Sequence, residues 1–382
     1  MTAPALHDTR LGAAPTGVAA HRVIFIDLAR AVAVFLMIQG HTVSALLAPE
    51  YREGRLYDAW VFQRGLTSCL FLLLSGFAFS IATSRHWPSH LRPSRAVAKR
   101  LSRFSLFVLL GYALHFPVAR FAHLAYVSDE SWRSFMAVDV LQLIGVTFFI
   151  VQALVLVSRT RHAFAVVVFA LCPVVVLGTL HIWNIDWTGV LPLPLAAYFS
   201  EGTGSQFPLF PWIAYVLLGA GLGQVYAHWG ATHLATFATR VLLASGVGML
   251  AVAAVFFQFT AWQSIPFQFL LRSGMVLVIL AAVAHLSRWV THLPHLFGAV
   301  AQESLLIYFV HLCLVYGSVW NFGLRQVFGE TLPPAATLPI ALGLIALMAV
   351  LAWQWNRCKH HRPTTARWLS FGTAAALIYP LL

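Results

Sequence analysis

Apolar residues fall along this chain in runs of about twenty, separated by short polar stretches rich in Arg, Gly, Pro and Trp. Runs of that length read as helices long enough to cross a bilayer. Ten spans are expected, near residues 24–48, 66–83, 104–122, 136–157, 163–181, 207–227, 241–259, 268–287, 300–320 and 335–355, with a shorter eleventh at 368–382. The pattern predicts an all-α, polytopic integral membrane protein of 10–11 transmembrane helices. Residues 1–20, with Ala, Gly, Pro and Thr, are expected to be a disordered cytoplasmic tail, and residues 21–382 one transmembrane domain. No internal repeat stands out, which weighs against an inverted-repeat transporter.

The first span breaks the apolar pattern in an ordered way. Arg22 to Leu47 reads RVIFIDLARAVAVFLMIQGHTVSALL and carries Asp27, Arg30 and His41. Ionisable groups at membrane depth are costly, so each is a functional-site candidate. Asp27 and Arg30 are three apart, hence neighbours on one helical face. His41 follows Arg30 by eleven residues, which puts it on the same face about 16 Å further along the axis. That face reads Asp27, Arg30, Val34, Met37, His41. It admits a structural reading, an interfacial ion pair and a hydrogen-bonded packing histidine, and a functional one, a charged anchor joined by an apolar channel to a titratable imidazole.

Composition supports the membrane reading. Of 382 residues, 60% are hydrophobic and 9% charged, where a soluble domain has about one quarter charged. The net charge of +12 does not mark a nucleic-acid partner. Its cations are almost all Arg, only Lys99 and Lys359 being Lys, and most sit at the ends of apolar runs. That distribution is a topology signal and implies a lipid bilayer as partner. Arg85, Arg92, Arg95, Lys99, Arg100 and Arg103, then Arg159, Arg161, Arg240, Arg288, Arg357, Arg362 and Arg367, fall on one side of the alternating spans, and Glu50, Glu53, Asp58, Asp129, Glu130, Asp186, Glu201 and Glu330 on the other. The positive-inside rule makes the basic side cytoplasmic, the N-terminus included, and puts His41 toward the outer face. Cys69, Cys172, Cys313 and Cys358 are scattered without C-x-x-C, so neither a disulfide framework nor a metal site is expected.

Other polar groups near the spans add candidates. The basic 85–103 loop serves as a topology determinant or as a dock for phosphates through Arg forks. Arg64, just before the second span, is an interfacial Arg or a substrate contact. His115 ends the third span. Asp139 opens the fourth as a helix N-terminal acid or as the carboxylate that orients His41. Phe207, Phe210 and Trp212 form an interfacial aromatic belt or the wall of a sugar site. Gly219 and Gly223 give a small-xxx-small packing ridge. Arg272 lies inside a span and needs a partner, and Glu303 and His311 share roughly one face of the ninth span.

These pieces carry a resemblance. An Arg, ten residues and a His in the first membrane helix resembles the acyltransferase type 3 membrane family. The ordered set FIDLARAVAVFLMIQGH, LFLLLSGFAFS, RLSRFSLFVLLGYALHFP, DVLQLIGV, FPLFPWIAYVLLG and QESLLIYFVHL resembles bacterial relatives of the heparan-α-glucosaminide N-acetyltransferase catalytic domain, over most of the chain. The resemblance implies a transmembrane acyltransferase bundle in the bacterial cytoplasmic membrane. It also implies acyl-CoA, in the simplest case acetyl-CoA, as co-substrate on the cytoplasmic side and a sugar or other polar acceptor on the outer side.

The expected site therefore has His41 as general base or acyl-accepting nucleophile with Asp139 as its orienter. Arg30, Asp27, Arg100 and Arg103 are expected at the CoA, and Arg64, His115, Trp212, Arg272, Glu303 and His311 at the acceptor. The chain lacks G-x-S-x-G, H-E-x-x-H and a P-loop, so hydrolase, metalloprotease and nucleotide-motor chemistry have no support. A proton-coupled secondary transporter built on the intramembrane Asp, Arg, His and Glu residues is the alternative from another class. A homodimer is left open.

Overall fold

Hydrocarbon offers the backbone no hydrogen-bond partners, so apolar runs of this length fold as helices. The computed structural model describes residues 23–290 and 293–381. The tail expected over 1–20, and Leu382 at the end of the expected eleventh span, lie outside the described residues. The main helices are α1 (Ile24–Leu46), α2 (Arg55–Ser84), α3 (Arg95–Leu114), α4 (Asp129–Met136), α5 (Val140–Ser158), α6 (Arg161–Trp183), α7 (Leu209–Val225), α8 (Leu234–Phe257), α9 (Ile265–Leu286), α10 (His295–Gln302), α11 (Ser304–Tyr316), α12 (Leu324–Phe328), α13 (Pro334–His361) and α14 (Pro363–Ile378). Among the described residues the sheet content is two isolated bridges, Leu47–Leu332 and Ser318–Asn321.

Among the described residues, eight helices are long and apolar enough to cross a membrane, or nine if α10 and α11, bent by 78°, form one span. The expected all-α polytopic class stands, with fewer qualifying spans than the ten or eleven read from the sequence. The difference has physical causes. The third expected span forms α3, but α3 opens on Arg95, Lys99, Arg100 and Arg103. The last one forms α14, which has only 16 residues. The ninth, expected as one helix over 300–320, breaks at Glu303. There the buried carboxylate accepts hydrogen bonds from Lys359 Nζ at 2.7 Å and Asn356 Nδ2 at 2.9 Å, both on α13.

Helix α1 sits at the centre and touches α2, α9, α10, α11, α12 and α13. One side of it, with Phe25, Ala29 and Ala33, joins the larger core built around α2, α5, α6 and α7. The other, with Ala31, Val34, Ile38 and Ala45, joins a second core with Val300, Ile307, Val315, Met348 and Ala352 of α10, α11 and α13. Helix α1 is thus buried on two sides, while Val32 is exposed between them. The outer helices instead expose Val174, Leu177, Val252, Val255, Leu342 and Leu347, as lipid contact requires.

The closest helix pair is α2 with α7. A Cβ on Gly76 would collide with the Val216 carbonyl oxygen, and one on Gly219 with the Leu73 carbonyl oxygen. The backbones of α2 and α7 therefore touch directly, as the Gly219–Gly223 ridge predicts, and dispersion contacts take the place of the hydrophobic drive that lipid removes. We expect Gly219→Ala to lower stability by about 3 kcal/mol, since a methyl group there must push backbone apart. Gly343→Ala on α13, with nothing within 4 Å of the new Cβ, should change little. Thermal unfolding of both variants in detergent is the measurement, and equal melting of the two would refute the close approach.

A second expectation concerns the break at Glu303, which is 5% exposed while Lys359 is 42% exposed. Lys359→Met leaves the carboxylate short of its cation and should be destabilising. Adding Glu303→Gln should recover much of the loss. A double-mutant cycle on unfolding should give a coupling of about 1 to 2 kcal/mol, and a coupling near zero would show that the ion pair does not hold the break.

Candidate functional site

A cavity of about 680 Å³ opens at the C-terminal end of α1. Met37, His41 and Ser44 of α1 line it, with Arg64, Ser68 and Phe71 of α2, Leu114 and His115 from the end of α3, and Asp139 and Val140 from the start of α5. Phe207 and Trp212 close one wall, and Arg272, Tyr308, Tyr316 and Arg325 come from the last third of the chain. Six of the residues singled out from sequence thus share one space: His41, Arg64, His115, Asp139, Trp212 and Arg272.

His41 is held by α11. Its Nδ1 lies 3.2 Å from the Tyr316 hydroxyl, and that hydroxyl donates to the His41 carbonyl oxygen at 3.4 Å. The tyrosine thus engages Nδ1, and among the described residues Nε2 of His41 makes no hydrogen bond and is left for chemistry. Tyr316 is the last residue of α11, which Gly317 ends with φ +83°, a backbone setting that favours Gly.

His311 is fully buried one and a half turns earlier, its ring centroid 5.3 Å from that of His41. Its Nδ1 donates to the Ile307 carbonyl oxygen at 2.8 Å, and its Nε2 has no hydrogen-bond partner. The site therefore pairs two imidazoles, each with Nδ1 committed. Neutral imidazoles arranged in this way can accept a proton or attack a carbonyl.

Asp139 caps α5, Oδ1 accepting from Val140 N–H at 2.6 Å, and its Oδ2 lies 3.5 Å from the Tyr308 hydroxyl. The group that meets His41 is Tyr316, not Asp139. The loop before α7 is pinned to the start of α5: Val138 N–H donates to Ser205 Oγ at 3.0 Å, and Phe207 N–H to the Val138 carbonyl oxygen at 3.0 Å. This brings Phe207 and Trp212, ring centroids 4.7 Å apart, beside Asp139. Arg64 donates to Ser44 Oγ and lies 5.7 Å from the Trp60 ring centroid.

The remaining candidates are elsewhere. Asp27 and Arg30 lie toward the other end of α1, within Coulombic reach of each other, and neither lines this cavity. Arg100 donates to Thr83 Oγ1 at 2.7 Å and stands over the Phe79 ring at 5.0 Å. Arg103 is exposed on α3. Glu303 is engaged with Lys359 and Asn356 at the helix break. His311 touches His41 without lining the cavity.

A second cavity of about 500 Å³ lies at the opposite end of α1 and α2, lined by Val23, Ile81, Ser84, Arg85, Arg161 and Tyr226. Arg161 Nη2 donates to the Ser84 carbonyl oxygen at 2.6 Å. Sequence reading placed Arg85 in the basic 85–103 loop, a topology determinant or a phosphate dock, and took Arg161 as a topology charge; no spacing rule joins the two, which stand on different helices. Tyr308, Tyr316 and Arg325 were missed for the same reason. Between the cavities, Phe25, Phe77, Tyr226 and Phe237 form a ring cluster with centroid separations of 5.2 to 6.3 Å. Val34, expected to face an apolar channel, is instead fully buried against α10, α11 and α13.

No curated protein matches the chain. A family model, heparan-alpha-glucosaminide N-acetyltransferase, catalytic, matches residues 22–245, a stretch that runs from the start of α1 into α8 and includes His41, Arg64, His115, Asp139 and Trp212. The chain belongs to the heparan-α-glucosaminide N-acetyltransferase catalytic family, a family of membrane acetyltransferases.

Proposed function

We propose that the protein moves an acyl group, in the simplest case acetyl, from acyl-CoA at the cytoplasmic face to a hydroxyl or amine of a sugar or other polar acceptor at the outer face of a bacterial cytoplasmic membrane. The observation that carries this reading is His41, with its Nε2 free in a cavity of about 680 Å³ and its Nδ1 set by Tyr316. The basic residues that cluster at the opposite end of the helices support a cytoplasmic location for that end. Arg272, Tyr308 and Tyr316, which line the cavity together with residues of α1, α2 and α5, support the reading of residues 21–382 as one domain.

In this reading His41 Nε2 removes the proton of the acceptor as its oxygen or nitrogen attacks the thioester carbonyl. The C–S bond breaks, the new C–O or C–N bond forms, and the departing sulfur takes the proton back. Alternatively His41 itself accepts the acyl group first; a mass shift of the acyl group on His41 in trapped protein separates the routes. His311 stands beside His41, its ring centroid 5.3 Å away and its Nε2 without a hydrogen-bond partner.

The residues of the second cavity fit the donor's phosphates. Two guanidiniums, Arg85 and Arg161, line one space, and Arg forks match phosphate geometry. The nearest lining residues of the two cavities on α2, Ile81 and Phe71, are ten apart, about 15 Å along the helix. A thin extended arm bridges that distance once the rings of Phe25, Phe77 and Tyr226 part.

His41→Ala should cut acyl transfer by about 10²–10⁴-fold, the usual contribution of a positioned base, while CoA still raises the melting temperature. His115→Ala and His311→Ala, each normalised to inserted protein, should retain more activity than His41→Ala. Near-wild-type transfer by His41→Ala would place the base elsewhere. Arg161→Gln should weaken CoA binding by about tenfold, the loss of one charge-assisted contact, and Arg103→Gln should not. The shift in unfolding temperature with CoA concentration reads both, and equal shifts would remove the second cavity from the donor site.

A further inference from the structure

The cavity that holds His41 is strongly cationic. Three guanidiniums, Arg64, Arg272 and Arg325, line it against one carboxylate, Asp139. Among the described residues neither Arg64 nor Arg272 has a carboxylate within salt-bridge distance. Arg325 is held by Glu330 at 2.8 Å, but Glu330 also serves Arg52 at 2.9 Å, so one carboxylate is shared between two cations.

Arg272 is the most telling of the three. It lies seven residues into α9, about 10 Å from the start of that helix, and its Nε is buried without a hydrogen-bond partner. A cation placed so deep without a counter-ion is costly, and packing alone does not require one. The fold makes room for it. The guanidinium of Arg272 lies against Gly65, where a Cβ would come within 3.3 Å of Cζ and Nη1. Arg64 has the same provision, its Cγ lying 3.1 Å from where a Cβ of Gly40 would be. Two glycines on the helices that carry the site thus give way to two arginines.

We infer that this cavity selects an acceptor bearing an anionic group, a carboxylate or a phosphate, and that Arg64, Arg272 and Arg325 are its specificity-determining residues. The inference rests on the acyltransferase reading only in calling the ligand an acceptor. Planar guanidinium forks hold oxyanions in bidentate fashion, and Arg64, Arg272 and Arg325 bring three of them to this cavity. The arrangement sets the anionic group among the arginines and leaves a neutral hydroxyl or amine for His41. Arg64 lies within the matched residues 22–245, whereas Arg272 and Arg325 lie beyond them, so part of this selectivity is written where the family model does not reach.

The test is equilibrium binding to the full-length protein in detergent, without CoA, using glucuronate, glucose 6-phosphate and glucose as probes. At least one anionic sugar should bind at least tenfold more tightly than glucose, and whichever of the two does so identifies carboxylate or phosphate as the recognised group. Arg272→Gln should lower that affinity at least tenfold. Arg325→Gln, an exposed position that does not endanger folding, should lower it by a smaller factor. Equal binding of glucose, binding of no probe, or unchanged affinity in both folded variants would overturn the inference. Because no acyl group is transferred in this measurement, a protein that binds anionic sugars but never transfers acyl from CoA would refute the acyltransferase reading alone.

Discussion

Everything in this bundle depends on the burial of α1 between two apolar cores. Phe25, Ala29 and Ala33 pack one way, and Ala31, Val34, Ile38 and Ala45 the other. A helix gripped on two sides has little freedom to rotate or slide, so a side chain that escapes the packing is placed with precision. His41 and Ser44 are such positions and open into the larger cavity, which Met37 also lines while packing against both cores. The rigidity that would make any polar residue in mid-helix costly is what gives His41 a fixed direction.

The walls of the cavity are set by a different contact. Gly76 and Gly219 let the backbones of α2 and α7 touch, which draws the start of α7 toward the start of α5. Ser205 and Val138 then tie the intervening loop to Asp139 by hydrogen bonds. Trp212 and Phe207 follow from this pinning and have no independent reason to be where they are. Small residues far from the imidazole pair therefore determine the shape of the space it faces.

Polar groups without partners gather on the helices that line this space. Both amide atoms of Gln142, the hydroxyl of Ser273, Nε of Arg272 and Nε2 of His311 are buried and unbonded. Most buried polar groups in proteins are satisfied, and those that are not call for an explanation. Of these atoms, Nε of Arg272 belongs to a residue that lines the cavity, and Nε2 of His311 lies in the ring beside His41. The Glu303–Lys359 pair shows the contrast: its carboxylate too is buried, but it is satisfied within the protein at a helix break.

The helical membrane class was legible in the sequence because the length of an apolar run and the period of a helix are local properties. The importance of α1 was legible for the same reason, since a face shared by Asp27, Arg30 and His41 follows from helical geometry alone. Residue types costly at depth, Arg64, Asp139 and Arg272, were also recognisable one by one. What the sequence could not hold was the pairing. Tyr316 meets His41 across 275 positions, and no spacing rule reaches that far. Nor did helical geometry reveal that Val34 turns into packing while Met37 turns into a cavity, because facing depends on which neighbours surround the helix. The break at Glu303 and the meeting of Arg85 with Arg161 arise in the same way. Periodicity, a one-dimensional property, decided which helices form; the tertiary structure alone decided which of their charged and titratable groups share a space, because that depends on how helices distant in sequence pack.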